Sequence, residues 1–100
     1  MLESEFVSLA DRVLADIEKE LDVSEHDLDY ATVGSGVLEI ELDGGGKIVV
    51  NRHAAMQEIW VAARAGGFHF RWDGAVWRDT RDGRELMRVL AELISAAPIR

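Results

Sequence analysis

Apolar residues recur at steps of three and four between residues 3 and 22, at Phe6, Leu9, Val13, Ile17 and Leu21. That spacing lines one face of an α-helix, with Ser4 placed to cap its first turn. The pattern breaks after Leu21 into a polar run from Asp22 to Asp29, and from Tyr30 the period falls to two. Leu38, Ile40 and Leu42 alternate with Glu39 and Glu41, as in a strand with one wet face. A short strand over 28–33 precedes it across the turn Gly34-Ser35-Gly36. Further strands are predicted from Lys47 to Asn51, Gln57 to Ala63, Phe68 to Trp72 and Val76 to Asp79. Between them lie Gly44-Gly45-Gly46, a loop from Arg52 to Met56, a turn at Gly66-Gly67 and the hairpin signal Asp73-Gly74. A second helix opens at Asp82-Gly83 and carries Leu86, Met87, Leu90, Leu93 and Ile94 on one side.

Short turns between consecutive strands demand antiparallel pairing. Two helices with one apolar side each, and a sheet with one apolar face, satisfy each other when both helices lie on that face. The expectation is an α+β fold, a two-layer α–β sandwich. Its N- and C-terminal helices pack on one face of an antiparallel sheet of about five to six strands, as one domain over residues 1–100. The other sheet face is left for solvent or a partner. Trp60 falls on that face, out of phase with Ile59 and Val61, and a large aromatic with no helix to cover it suits a protein contact.

Charge adds more than composition does. Residues 1–43 hold 13 Asp and Glu against 2 Lys and Arg, residues 44–100 hold 6 against 9, and the formal net charge is −8. The acidic half repels nucleic acid and anionic membrane and attracts cations or basic protein surfaces. With no cysteine, disulfides, thiolate metal sites and a thiol nucleophile are excluded. No run approaches the ~20 apolar residues that cross a bilayer. The start Met1-Leu2-Glu3-Ser4-Glu5 is acidic, unlike a signal or transit peptide, so the expected compartment is the cytoplasm.

Helical phase gathers the acids. Asp11, Glu18 and Asp22 fall within about 40° of one another at ~100° per residue, away from the apolar stripe. Glu25, Asp27 and Asp29 continue the series with no Lys or Arg among them, while Arg12 and Lys19 point off this ridge. Carboxylates suit hard cations such as Fe3+, Ca2+, Mg2+ and, less selectively, Fe2+. A tight site needs several oxygens within ~2–2.5 Å of one ion, whereas Asp11 and Glu18 are two turns, roughly 10 Å, apart. The ridge therefore reads as a field of weak, hydrated sites and not a cage. Replacing Asp11, Glu18 and Asp22 with Asn or Gln is expected to relieve repulsion and leave stability unchanged or higher. The pattern holds no catalytic constellation. His26, His53 and His69 share no metal-ligand spacing, and Gly44-Gly45-Gly46 opens no helix for a phosphate. Ser35 lacks the Gly-x-Ser-x-Gly setting of a nucleophile elbow.

Four stretches, taken in order, resemble the frataxin family and within it the bacterial CyaY group. The first is Ser4-Glu5-Phe6 with Leu9-Ala10-Asp11, and the second is Gly34-Ser35-Gly36-Val37-Leu38. The third runs from Lys47 to Arg52 and on through Gln57-Glu58-Ile59-Trp60-Val61-Ala62. The fourth is Gly66-Gly67-Phe68-His69-Phe70, with Trp77 and Asp82-Gly83 behind it. The resemblance implies the same helix–sheet–helix sandwich. It implies iron, as Fe2+ or Fe3+, held weakly on Asp11, Glu18 and Asp22 and further on Glu3, Glu25, Asp27 and Asp29. It also implies a non-enzymatic regulator or adaptor of iron–sulfur cluster assembly. Asp11, Glu18 and Asp22 would dock on the cysteine desulfurase, and the exposed sheet surface, Asn51, Glu58 and Trp60, would meet assembly partners such as the iron–sulfur scaffold protein. The alternative it leaves open is an iron chaperone or store with weak ferroxidase activity. The chain is expected as a monomer that iron can drive into oligomers. It departs from the family at Glu58, where relatives usually carry glutamine, and at Lys19, where close relatives carry an acid.

Overall fold

In the computed structural model, residues 1–24 and 28–95 are described; Glu25 and Asp27 of the acidic series, and His26 between them, lie outside the described residues. The elements follow as α1 (Glu3–Asp22), β1 (Asp29–Thr32), β2 (Val37–Glu41), β3 (Lys47–His53), β4 (Glu58–Ala63), β5 (Gly66–Trp72), β6 (Trp77–Asp79) and α2 (Leu86–Ser95). The six strands form one sheet in sequence order, each antiparallel to the next. Alternation sends Leu38, Ile40, Ile48, Val50, Ile59, Val61, Phe70 and Trp77 to one face. There they are buried with Phe6, Ala10, Val13, Leu14, Ile17 and Leu21 of α1 and with Leu86, Val89 and Leu90 of α2. Register makes the packing continuous across the strands: Val50 stands between Leu38 and Val61, and Phe70 lies opposite Ile59. Burial of each such side chain is worth about 1.5–3 kcal/mol, and this shared core is what clamps both helices to the sheet.

Several local expectations are corrected. Ser4 does not cap α1. Leu2 takes the N-cap position in extended conformation (φ −67°, ψ 149°), and its N–H donates to Glu5 Oε1 at 3.0 Å. Arg52 and His53 belong to β3 and pair with Ile59 and Glu58, so the connecting loop is shorter than the sequence suggests. Gly66 and Gly67 are not the turn. They open β5 opposite Ala63 and Ala62, and Arg64 and Ala65 make the connection. The second helix starts at Leu86, after Asp82-Gly83. Before it can begin, the chain doubles back on β6: Asp79 N–H donates to Arg84 O at 2.8 Å, Gly83 N–H donates to Asp79 O at 3.0 Å, and Arg78 bridges to Glu85.

Two aspartates hold this end of the sheet. Asp73 closes the β5–β6 hairpin, its Oδ1 accepting from Ala75 N and Val76 N, each at 2.8 Å, and its Oδ2 from Arg78 Nε at 2.7 Å. Those backbone donors, followed by the Arg78 hydrogen bond, hold its carboxyl down to about 2. Because the folded value lies below the unfolded one, the stabilisation is complete above about pH 4 and is lost as pH falls toward 2. Acid unfolding should therefore steepen across that window, and Asp73→Asn should flatten it, as followed by circular dichroism.

Asp79 is 4% exposed and accepts from Arg81 N at 2.7 Å. Asp79→Ala removes that bond from the turn leading into α2 and should cost about 1–2 kcal/mol. At roughly 4–8 °C per kcal/mol for a domain of this size, a melting curve resolves the loss, and Asp79→Asn should restore most of it.

Candidate functional site

The acids of α1 stand on the side of the helix turned away from Phe6, Val13, Ile17 and Leu21. The structure treats each one differently. Glu3 lies in the first turn and Asp22 at the last residue, which is about 28 Å of helix at 1.5 Å per residue. Glu18 and Asp22 are brought together around Tyr30 of β1, whose hydroxyl donates to Asp22 Oδ1. That hydrogen bond is the main reason the Tyr30 phenol is held above its ordinary value. Burial adds to it, and so do the negative charges of Asp22 and Glu18. Asp29 does not extend this group. It neighbours Tyr30 in β1 and so points to the opposite sheet face, across from Glu41.

Asp11 has a partner that its helical neighbourhood does not reveal. Arg52 of β3 reaches up to it, with Nη1 on Asp11 Oδ1 and Nη2 donating to Ser35 Oγ at 2.9 Å. The Asp11 side chain remains 54% exposed and the Arg52 side chain only 19%. Asp11 thus joins α1 to the sheet and carries a compensated charge. The expectation that neutralising the ridge costs nothing is narrowed at Asp11, whose charge is paired with Arg52; an asparagine at Asp22 can still accept from the Tyr30 hydroxyl. Among the described residues, no three His, Asp or Glu side chains converge to hold one metal ion.

The open sheet face carries a second constellation. Asn51, Trp60 and His69 lie side by side across β3, β4 and β5, and one row further His53, Glu58 and Arg71 do the same. The indole of Trp60 is stacked on both faces. His53 lies over one at 3.8 Å and 11°, and His69 over the other at 4.6 Å and 9°. Glu58 is 3% exposed. Its Oε1 accepts from Trp60 Nε1 at 2.8 Å, its Oε2 from Arg71 Nε at 2.7 Å, and His69 Nδ1 stands 3.4 Å from Oε1. Burial pushes the Glu58 carboxyl up, but the bonds from Trp60 and Arg71 outweigh it and leave the carboxyl below its ordinary value. Asn51 and Trp60 are half-buried and open to contact, whereas Glu58 sits beneath the rings. Sequence reasoning missed His53, His69 and Arg71, although alternation along β3 and β5 places all three on the Trp60 face.

A six-stranded antiparallel meander with its first and last elements as helices on one face defines a frataxin-like α–β sandwich. The family model described as "Frataxin-like domain" matches residues 1–98. The iron-sulfur cluster assembly protein CyaY of Dechloromonas aromatica is 58% identical over 95 residues, covering 95% of this chain and 90% of that protein. The CyaY protein of Cupriavidus taiwanensis is 48% identical over 97 residues, covering 93% and 86%. The solved frataxin of Psychromonas ingrahamii superposes with a TM-score of 0.85 at 30% identity, covering 92% of this chain and 87% of that one. The chain belongs to the frataxin family, CyaY group. Members of this family are regulators and chaperones rather than enzymes, and no helix among the described residues is long and apolar enough to cross a membrane.

Proposed function

We propose that this chain acts as one domain in the cytoplasm and regulates iron–sulfur cluster assembly by docking the acidic face of α1 on the cysteine desulfurase. The observation that carries this reading is the concentration of uncompensated charge at the end of α1. Glu18 and Asp22 act together on Tyr30, and no basic side chain among the described residues forms a salt bridge with either. Asp11 contributes through an exposed carboxylate already shared with Arg52. A basic partner surface gains most where acids lack internal counter-ions. Iron, as Fe2+ or Fe3+, is cargo or modulator on the same face. It binds weakly through Asp11, Glu18 and Asp22, with Glu3, Glu25 and Asp27 as further contacts, because carboxylates one or more turns apart hold hydrated ions singly; Asp29, on the opposite sheet face, takes no part. Asn51 and Trp60 on the open sheet face meet the scaffold protein, with Glu58 acting from beneath them. The names of the curated relatives support the pathway, and the charge distribution supports the partner.

The test is a metal-free titration of ¹⁵N-labelled protein with the desulfurase, read by amide shifts. Selective shifts around Asp11, Glu18 and Asp22 are expected, with affinity falling about tenfold or more on combining Glu18→Lys and Asp22→Lys. An unchanged spectrum at high desulfurase concentration would remove the adaptor role and leave the iron chaperone or store, with weak ferroxidase activity, as the working function.

A further inference from the structure

The Trp60 ring is held by more than its place in β4. Both of its faces are covered by imidazoles of this chain, and its one polar atom is tied to a carboxylate. A partner therefore meets the edge of the indole, framed by the rims of His53 and His69, and not an open aromatic plate. Glu58 is the common element. It accepts from Trp60 on one oxygen and from Arg71 on the other, and it faces His69, yet it is nearly inaccessible itself. A buried carboxylate is costly unless its acceptor capacity is filled. Here it is filled by the side chains that shape the surface, and no buried side-chain polar atom among the described residues is left without a bond. An aromatic fixed in its bound orientation loses little freedom when a partner arrives.

We propose that Glu58 is the positioning residue of the open-face contact surface: it fixes Trp60 edge-on between His53 and His69 and touches no partner itself. This rests on the reading that Trp60 meets the scaffold protein. Glu58 then works only through Trp60 and its stacked neighbours. Removing its acceptors lets the indole turn about its side-chain bonds and breaks the stack. Glutamine retains an acceptor for Trp60 Nε1 and should keep the ring in place.

Trp60→Ala, Glu58→Met, Glu58→Gln and the Glu58→Met/Trp60→Ala pair decide it, each titrated with the purified scaffold protein. The indole ¹H–¹⁵N signal of the free proteins is recorded alongside. Trp60→Ala and Glu58→Met should each weaken binding about tenfold. Glu58→Met should displace the Trp60 indole signal, Glu58→Gln should leave signal and affinity near those of the parent, and the pair should be no weaker than Trp60→Ala alone. If Trp60→Ala leaves affinity unchanged, the Trp60 reading fails and takes this inference with it. If Trp60→Ala weakens binding while Glu58→Met does not, or if Glu58→Met costs as much again in the Trp60→Ala background, only the positioning role is overturned. Should Glu58→Met not fold, the parent protein still decides: its Trp60 indole N–H must be protected from hydrogen exchange, and free exchange there rules out the bond to Glu58.

Discussion

Replacing Phe6 with alanine is expected to lower stability by about 3–5 kcal/mol. Phe6 is fully buried and meets Trp77 of β6 edge-to-face, centroids 5.9 Å apart at 78°. Trp77 in turn meets Trp72 of β5 at 5.5 Å and 61°. Phe6 is thus the anchor that ties the first turns of α1 to the β5–β6 end of the sheet. Truncation removes aromatic surface from water-free contact and leaves a cavity between a helix and a sheet, where collapse is hindered by both. At roughly 4–8 °C per kcal/mol, the melting temperature should fall by at least about 12 °C. Phe6→Leu keeps most of the volume and should lose clearly less. Thermal denaturation of the two variants checks this. A drop for Phe6→Ala as small as that of an exposed-site variant would mean the helix repacks over the gap.

The central strands are legible because apolar and polar residues alternate along them, β1 only through the Gly34-Ser35-Gly36 turn that follows it, and the first helix because its apolar stripe runs from Phe6 to Leu21, about four turns. Local patterns carry that information: Ile40 and Glu41 declare their faces without reference to anything distant. What the pattern could not show was pairing across the fold. Arg52 sits in a stretch that reads as loop, and only the β3–β4 register brings its side chain under Asp11, 41 residues away in sequence. Glu58 alternates like any solvent-facing acid. It is buried because Trp60, His69 and Arg71 close over it, three groups contributed by two strands. Gly66 and Gly67 read as a turn by composition, yet antiparallel pairing to Ala63 and Ala62 draws them into the sheet. In the candidate surfaces, residue types and faces were readable, while the partners that compensate or position them were not.

Gly36→Ala should cost about 2–4 kcal/mol, and the loss has two separable sources. Gly36 has φ +81°, where an L-residue carries about 1–2 kcal/mol of strain. A Cβ at this position would also lie 2.7, 2.8 and 2.9 Å from Cγ, Nε and Cδ of Arg52. Arg52 cannot swing aside freely. Its N–H donates to Gly36 O at 2.9 Å, and its guanidinium is engaged by Asp11 and Ser35. Relieving the clash means surrendering those charge-assisted bonds, each worth about 1.5–3 kcal/mol in a favourable setting and less where Asp11 is exposed. The two sources separate in an Arg52→Ala background, where there is no side chain to collide with and only the backbone strain remains. Gly36→Ala should then cost about 1–2 kcal/mol, against its full penalty in the parent. Equal penalties in both backgrounds would show that the Arg52 side chain makes room for the methyl without loss and that the clash adds nothing to the cost. Unequal penalties would show that the residue closing the β2 turn also governs how firmly an acid of the α1 face is held to the sheet.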